Sequence, residues 1–85
     1  FDMTIFPNPV SNEINMHFNT VTSGMKTVEI YDLTGRAYLI QEDIESFGGL
    51  IKLNVSDLGL SRGNYLIRVK KQDSDEQVTK IFKKD

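Results

Sequence analysis

The chain has 85 residues, a formal net charge of −2, one histidine and no cysteine. A chain this short buries only about 60–65% of the surface it exposes when unfolded, so its apolar residues are needed in one core, and a deep pocket for a large cofactor competes with that core. Without cysteine there is no disulfide, no thiolate metal site and no thiol nucleophile; a lone His17 excludes a site built from several imidazoles, and no apolar run approaches the roughly 20 residues that span a bilayer. The charge is unevenly placed: residues 1–61 carry three bases (Lys26, Arg36, Lys52) and eight acids, and residues 62–85 carry seven bases and four acids.

In chain order, Met3 to Phe6 favours a strand, and Pro7-Asn8-Pro9 ends it. Two prolines fix two φ angles and remove two donors, which predicts a rigid turn or crossover. Glu13 to Phe18 alternates, with Ile14, Met16 and Phe18 on one face and Asn15 and His17 on the other, the period of a half-buried strand. Asn19 to Gly24 reads as a loop. Met25 to Tyr31 alternates again, with Val28 and Ile30 against Thr27, Glu29 and Tyr31; Asp32-Leu33-Thr34-Gly35 has the composition of a tight turn, and Arg36 to Glu42 closes a hairpin.

Asp43 to Gly49 reads as a polar loop, and Leu50 to Val55 as a strand with Ile51, Leu53 and Val55 on one face. Ser56 to Arg62 is a connection in which Asp57 to Leu60 has room for one helical turn. Asn64 to Lys71 puts Tyr65, Ile67 and Val69 opposite Arg68 and Lys70. Gln72 to Glu76 is a polar turn, and Gln77 to Lys84 is a final strand with Val78, Ile81 and Phe82 among lysines. Seven short strands at this spacing, with no sustained 3.6-residue period, predict an all-β, antiparallel immunoglobulin-like sandwich, with a small barrel as the other option.

No pattern of catalytic residues is present: there is no G-x-S-x-G, no H-E-x-x-H and no partner spaced to orient His17, so that residue reads as a solvated surface histidine. The carboxylates Asp43 and Glu45, and Asp73, Asp75 and Glu76, lack the spacing of a calcium loop and read as turn residues. Gly48-Gly49 precedes a strand and not a helix, which sets aside a phosphate cradle. Arg68, Lys70, Lys71, Lys80, Lys83 and Lys84 cluster, but in a chain of negative total charge they read as a charged sheet edge and not as a nucleic-acid surface. Tyr31 and Tyr38 fall near one hairpin as a sugar platform would, though paired tyrosines on strands more often pack on each other. The residues imply no catalytic group, no cofactor and no metal.

Four segments then gain meaning from being read together. They are Phe6-Pro7-Asn8-Pro9 with the Ile14-Asn15-Met16 strand; Val28 to Arg36, reading V-E-I-Y-D-L-T-G-R; Leu58 through Gly63-Asn64-Tyr65 to Val69; and Lys80-Ile81-Phe82-Lys83-Lys84. In this order and spacing the chain resembles the C-terminal sorting domain, type A, of proteins exported by the type IX (Por) secretion system, and the resemblance covers nearly all of it. It implies an address label: a seven-stranded immunoglobulin-like domain at the end of a secreted enzyme or adhesin. The resemblance further implies a parent that passes through the periplasm and is then taken to the cell surface or medium by an outer-membrane translocon with its shuttle proteins. It implies as well that a sortase-like peptidase removes the domain.

On this resemblance residues 1–85 form one sorting domain, and the start at Phe1 is expected to mark a piece of a larger secreted protein whose cargo lies ahead of Phe1. Pro7, Asn8, Pro9, Gly35, Gly63 and Tyr65 match motif positions with structural roles. Lys80, Ile81, Phe82, Lys83 and Lys84, with Arg36, match positions expected to meet the translocon, the terminal strand offering edge backbone and alternating side chains. The same free edge would suit a homodimer. Asp85 departs from relatives that end on a basic residue. The competing reading is a carbohydrate-binding or adhesive immunoglobulin-like module.

Overall fold

A computed structural model describes residues 1–19, 24–46 and 49–85. The loops read over Asn19–Gly24 and Asp43–Gly49 fall in part on 20–23 and 47–48, including Gly48, which lie outside the described residues. The strands are β1 (Met3–Phe6), β2 (Glu13–Phe18), β3 (Lys26–Asp32), β4 (Ala37–Ile44), β5 (Leu50–Asn54), β6 (Gly63–Lys71) and β7 (Gln77–Lys84), with one 3-10 turn at Ser56–Leu58 that overlaps the helical turn expected over Asp57 to Leu60 and ends at a left-handed Gly59.

They form two sheets, β1-β2-β5 and β4-β3-β6-β7, and every strand pair is antiparallel. The period-two pattern explains the layers. Ile14, Met16, Phe18 and Ile51 from the first sheet face Val28, Ile30, Tyr65, Ile67, Val69 and Phe82 from the second, all buried in one core. Short hairpins join β3 to β4 and β6 to β7 within a sheet, whereas the β2–β3, β4–β5 and β5–β6 connections change sheets. Tyr65, near the start of β6, donates its hydroxyl to the Ser61 carbonyl at 2.8 Å, a tyrosine corner that ties the last sheet-to-sheet crossing to the strand it feeds. The sandwich is of the immunoglobulin-like kind.

Three details depart from the sequence expectations. β4 continues two residues past Glu42, because a register shift in its pairing with β3 and a left-handed Asp43 (φ 59°) let the strand absorb an irregularity instead of ending. Asn15 and Glu29, expected on solvated faces, are buried. Asn15 is tolerated because its amide donates to the Phe6 carbonyl at 3.1 Å across the β1–β2 pair. Glu29 lies in the centre of its sheet, where Arg68 Nε (2.8 Å) and Lys70 Nζ (3.2 Å) bind its two carboxylate oxygens. Burial alone would push that carboxyl up, but the hydrogen bonds from Arg68 and Lys70 outweigh it and hold its pKa below the usual glutamate value.

Candidate functional site

The strand directions bring a part of each of the four motifs to one end of the sandwich. β6 begins there at Gly63, which pairs with Lys84 at the finish of β7, and β3 ends there at Asp32, opposite Tyr65. Lys26 and Lys71 pair at the far end, close to Phe1, whose ring lies 5.9 Å from that of Phe18 and under the Lys71 ammonium at 5.2 Å.

The β3–β4 turn is built by Asp32. Its Oδ1 accepts from the Thr34 hydroxyl (2.6 Å), the Thr34 N–H (2.9 Å) and the Arg36 N–H (3.0 Å). Those donors, the Thr34 side chain foremost, keep the Asp32 carboxyl below the ordinary aspartate range. Gly35 completes the turn at φ 95°, which side-chain-bearing residues rarely adopt. A Cβ there would meet nothing within 4 Å, so the cost of Gly35→Ala is backbone strain alone. Thermal unfolding of this variant is expected to show a loss of about 1–2 kcal/mol; an unchanged melting temperature would mean that the turn relaxes into another shape. Arg36, exposed, holds its guanidinium 5.1 Å from the Tyr38 ring.

From Arg36 a ladder of rings leads inward. Tyr38 meets Tyr65 edge-on at 5.7 Å, and Tyr65 stacks on Phe82 at 5.7 Å. The hairpin motif, the G-N-Y strand and the terminal strand are thus one packed unit. Tyr38 is engaged in packing, and the Tyr31 ring lies under the Arg68 guanidinium at 5.5 Å, so the two tyrosines do not form one open platform.

Pro7-Asn8-Pro9 carries the chain out of the first sheet and across to β7. There Val10 donates its N–H to the Lys83 carbonyl (2.7 Å) and accepts from the Asp85 N–H (2.8 Å), while Asn8 Oδ1 accepts from the Lys83 N–H (3.1 Å). Val10 itself is fully buried. This corrects the expectation that the terminal strand is a free edge: β7 is the last strand of its sheet, but residues 8–10 cover the backbone of its final turn. Since strand backbone groups point to alternate sides, the outward-facing groups that remain are those of Gln77, Thr79 and Ile81.

Burial also divides the five expected tail contacts. Phe82 is fully buried and belongs to the core, because its side chain points inward between Tyr65 and the first sheet. It is not a surface contact. Lys80, half-buried on the same face, forms an ion pair with Asp2 at 3.1 Å, and Lys84 turns its ammonium to the Asp85 backbone oxygen at 2.9 Å. The Met3 N–H first, and Lys80 second, hold the Asp2 carboxyl below its usual pKa. Ile81 (62% exposed) and Lys83 stand on the outer face, and Lys83 has no ion pair among the described residues. No group of three or more His, Cys, Asp or Glu side chains is placed to hold a metal ion among the described residues.

Sequence reasoning passed over Val10 and Lys26. Val10 carried no strand signal, since its partner is remote in sequence. Lys26 was legible: it shares the parity of Val28 and Ile30 and so points to the core.

Comparison with known proteins agrees with this geometry. The family described as "Secretion system C-terminal sorting domain" matches residues 4–84. No curated protein matches the chain. Among solved structures, PorZ, an essential bacterial surface component of the type-IX secretion system of Porphyromonas gingivalis, superposes with a TM-score of 0.71 at 21% identity over 98% of this chain and 11% of that one. The chain thus spans about a tenth of that protein. A DUF3244 family protein with an immunoglobulin-like β-sandwich fold from Bacteroides vulgatus superposes with a TM-score of 0.69 at 15% identity, over 98% of this chain and 84% of that one. At these identities the likeness is one of fold.

Proposed function

Because the chain belongs to the type IX (Por) family of secretion system C-terminal sorting domains, we propose that it acts as a detachable export label for a cargo joined ahead of Phe1. The cargo would pass through the periplasm to the outer-membrane translocon and its shuttle proteins. It would then be released at the cell surface or into the medium when a sortase-like peptidase cuts upstream of the domain.

The observation that carries this reading is the separation of the two ends. Phe1 lies at the Lys26–Lys71 end, and the motif turns with Gly63, Tyr65, Lys83 and Lys84 gather at the other, Lys80 alone of the tail reaching Asp2, so a bulky cargo does not cover the motif end. The exposed side chains there, Arg36, Ile81 and Lys83, stand on strands whose backbone is held by the packed ladder, so their positions are defined before binding and only their rotamers remain to be ordered. Their positive charge would steer an acidic partner surface.

The test is a fusion of a signal peptide, a reporter and residues 1–85, expressed in a bacterium that has this secretion system. The reporter is expected outside the cell with the domain and in the periplasm without it. Equal retention of both fusions in the periplasm would refute the label. A homodimer through the terminal edge strand would have to use the uncovered stretch of β7, and analytical ultracentrifugation decides whether one forms.

A further inference from the structure

The outer face of the four-stranded sheet carries a cleft of about 400 Å³ beside the β3–β4 turn. Its floor is Tyr31 and Leu66, directly opposite each other on β3 and β6. Leu33, 60% exposed at the tip of the turn, forms one wall, and Thr79 and Arg68 close the other side. Ile81, 62% exposed, pairs with Leu66 and extends the apolar strip along β7. A turn needs no leucine at its tip, and an isoleucine on the solvated side of a terminal strand is not required by the core. Two exposed branched side chains flanking one cleft are a reason to look for an occupant.

The charge of this face indicates what the occupant carries. Glu29 is shared by two cations, Arg68 and Lys70, which leaves the trio one positive charge in excess. The Asp32 carboxylate at the rim, held by three hydrogen bonds of its own turn, offsets that charge, but Lys83 on the same outer face, two residues beyond Ile81 on β7, adds a third cation against the two carboxylates. Arg68 engages Glu29 through Nε alone, and its guanidinium lines the cleft above the Tyr31 ring. An apolar depression with a fixed guanidinium at its side suits an apolar side chain that is followed by a carboxylate.

We propose that this cleft docks an extended segment of the export machinery that presents an apolar side chain next to an acidic one, so that the export signal is a folded surface and not the terminal residues alone. The proposal rests on the sorting function and assigns the partner's chemistry. It gives the D-L-T-G hairpin a role besides turning the chain: Asp32 and Gly35 set the turn, and the turn holds Leu33 over the cleft.

The probes are capped tetrapeptides reading Ala-Leu-Asp-Ala, Ala-Leu-Asn-Ala and Ala-Ser-Asp-Ala, titrated into isotope-labelled residues 1–85 and followed by amide shifts. The Leu-Asp peptide is expected to move the amides of Leu33, Leu66, Thr79 and Ile81 saturably, with the other two about tenfold weaker. Thr79→Glu, which puts a carboxylate at the cleft wall, is expected to weaken the Leu-Asp peptide by a larger factor than the Leu-Asn peptide. In the fusion assay Leu33→Asp is expected to reduce export while the melting temperature of the domain stays that of the wild type. The proposal is overturned if no saturable shifts appear, if the Leu-Asn peptide binds as well as the Leu-Asp one, or if the Leu33→Asp fusion is exported like wild type. It is also overturned if shifts at these residues grow with protein concentration alone, since the occupant is then a second copy. If the wild-type fusion stays in the periplasm, the sorting function fails, and the titration still judges the cleft.

Discussion

Replacing Phe82 with alanine is expected to destabilise the domain by about 3–5 kcal/mol, the usual cost of emptying a buried aromatic site. Phe82 has no exposed surface and stacks on Tyr65, which in turn meets Tyr38, so the cavity would open in the middle of the ring ladder and not at its margin. A domain of this size has roughly 4–13 kcal/mol to lose. The variant should therefore melt well below the wild type, or fail to fold at physiological temperature. Circular dichroism with denaturant titration measures this directly, and a loss under about 1 kcal/mol would mean that neighbours collapse into the space.

This bears on how the tail is tested. Deleting residues 80–85 removes Phe82, the Lys80–Asp2 ion pair and the partners of Val10 in one step. A fusion lacking them would lose export whether the tail is a signal or merely a core strand. Lys83→Glu separates the two, because Lys83 is exposed on the outer face and its backbone bonds to Asn8 and Val10 do not depend on its side chain.

Replacing Lys26 with methionine is expected to stabilise the protein by about 1–2 kcal/mol at neutral pH, as apolar substitution of a buried charge often does. Lys26 has no exposed surface; its ammonium donates to the Gly24 carbonyl (3.2 Å) and the Ser46 hydroxyl (3.3 Å) and lies 5.6 Å from the Phe18 ring. Burial first, and the neighbouring Lys71 second, lower its pKa from the ordinary 10.5, against the opposing pull of Asp73 and Glu45. The unfolded chain then binds more protons than the folded one between that lowered value and 10.5, so wild-type stability rises with pH across this window. Methionine does not titrate, and the advantage of the variant should shrink as pH rises toward the upper limit. Denaturant melts at neutral and stepwise higher pH check both parts. A variant less stable than wild type at neutral pH would show that the two hydrogen bonds and the ring contact outweigh the buried charge.

The alternation of apolar residues was sufficient to place the strands. Period two leaves little freedom, because shifting a strand by one residue turns Ile14, Met16 and Phe18 from core to solvent. The turns were legible for a similar reason: Pro7-Asn8-Pro9 and Asp32 to Gly35 hold residues whose local geometry is restricted or unusually free, so their effect acts within a few residues. The motifs were also legible, as an ordered set. Their meeting at one end was not, since that follows from strand directions and pairing.

What the amino-acid sequence by itself determined was the set of local choices: which residues extend, where the chain turns and which faces are apolar. These depend on side-chain shape and spacing along one segment. Only the tertiary structure decided which polar groups are buried and which of the tail residues can be touched. Glu29 is buried because strands β4 and β6 flank it and Arg68 lies opposite; β7 loses its free edge near Lys83 because Val10 arrives from the other sheet. Both outcomes arise from partners distant in sequence, Arg68 by 39 positions from Glu29 and Asn8 by 75 from Lys83. No local pattern encodes a partner that far away. The net charge of −2 at the outset said little about binding; the folded arrangement sets the Arg68 guanidinium beside an apolar cleft on one face of a weakly acidic chain.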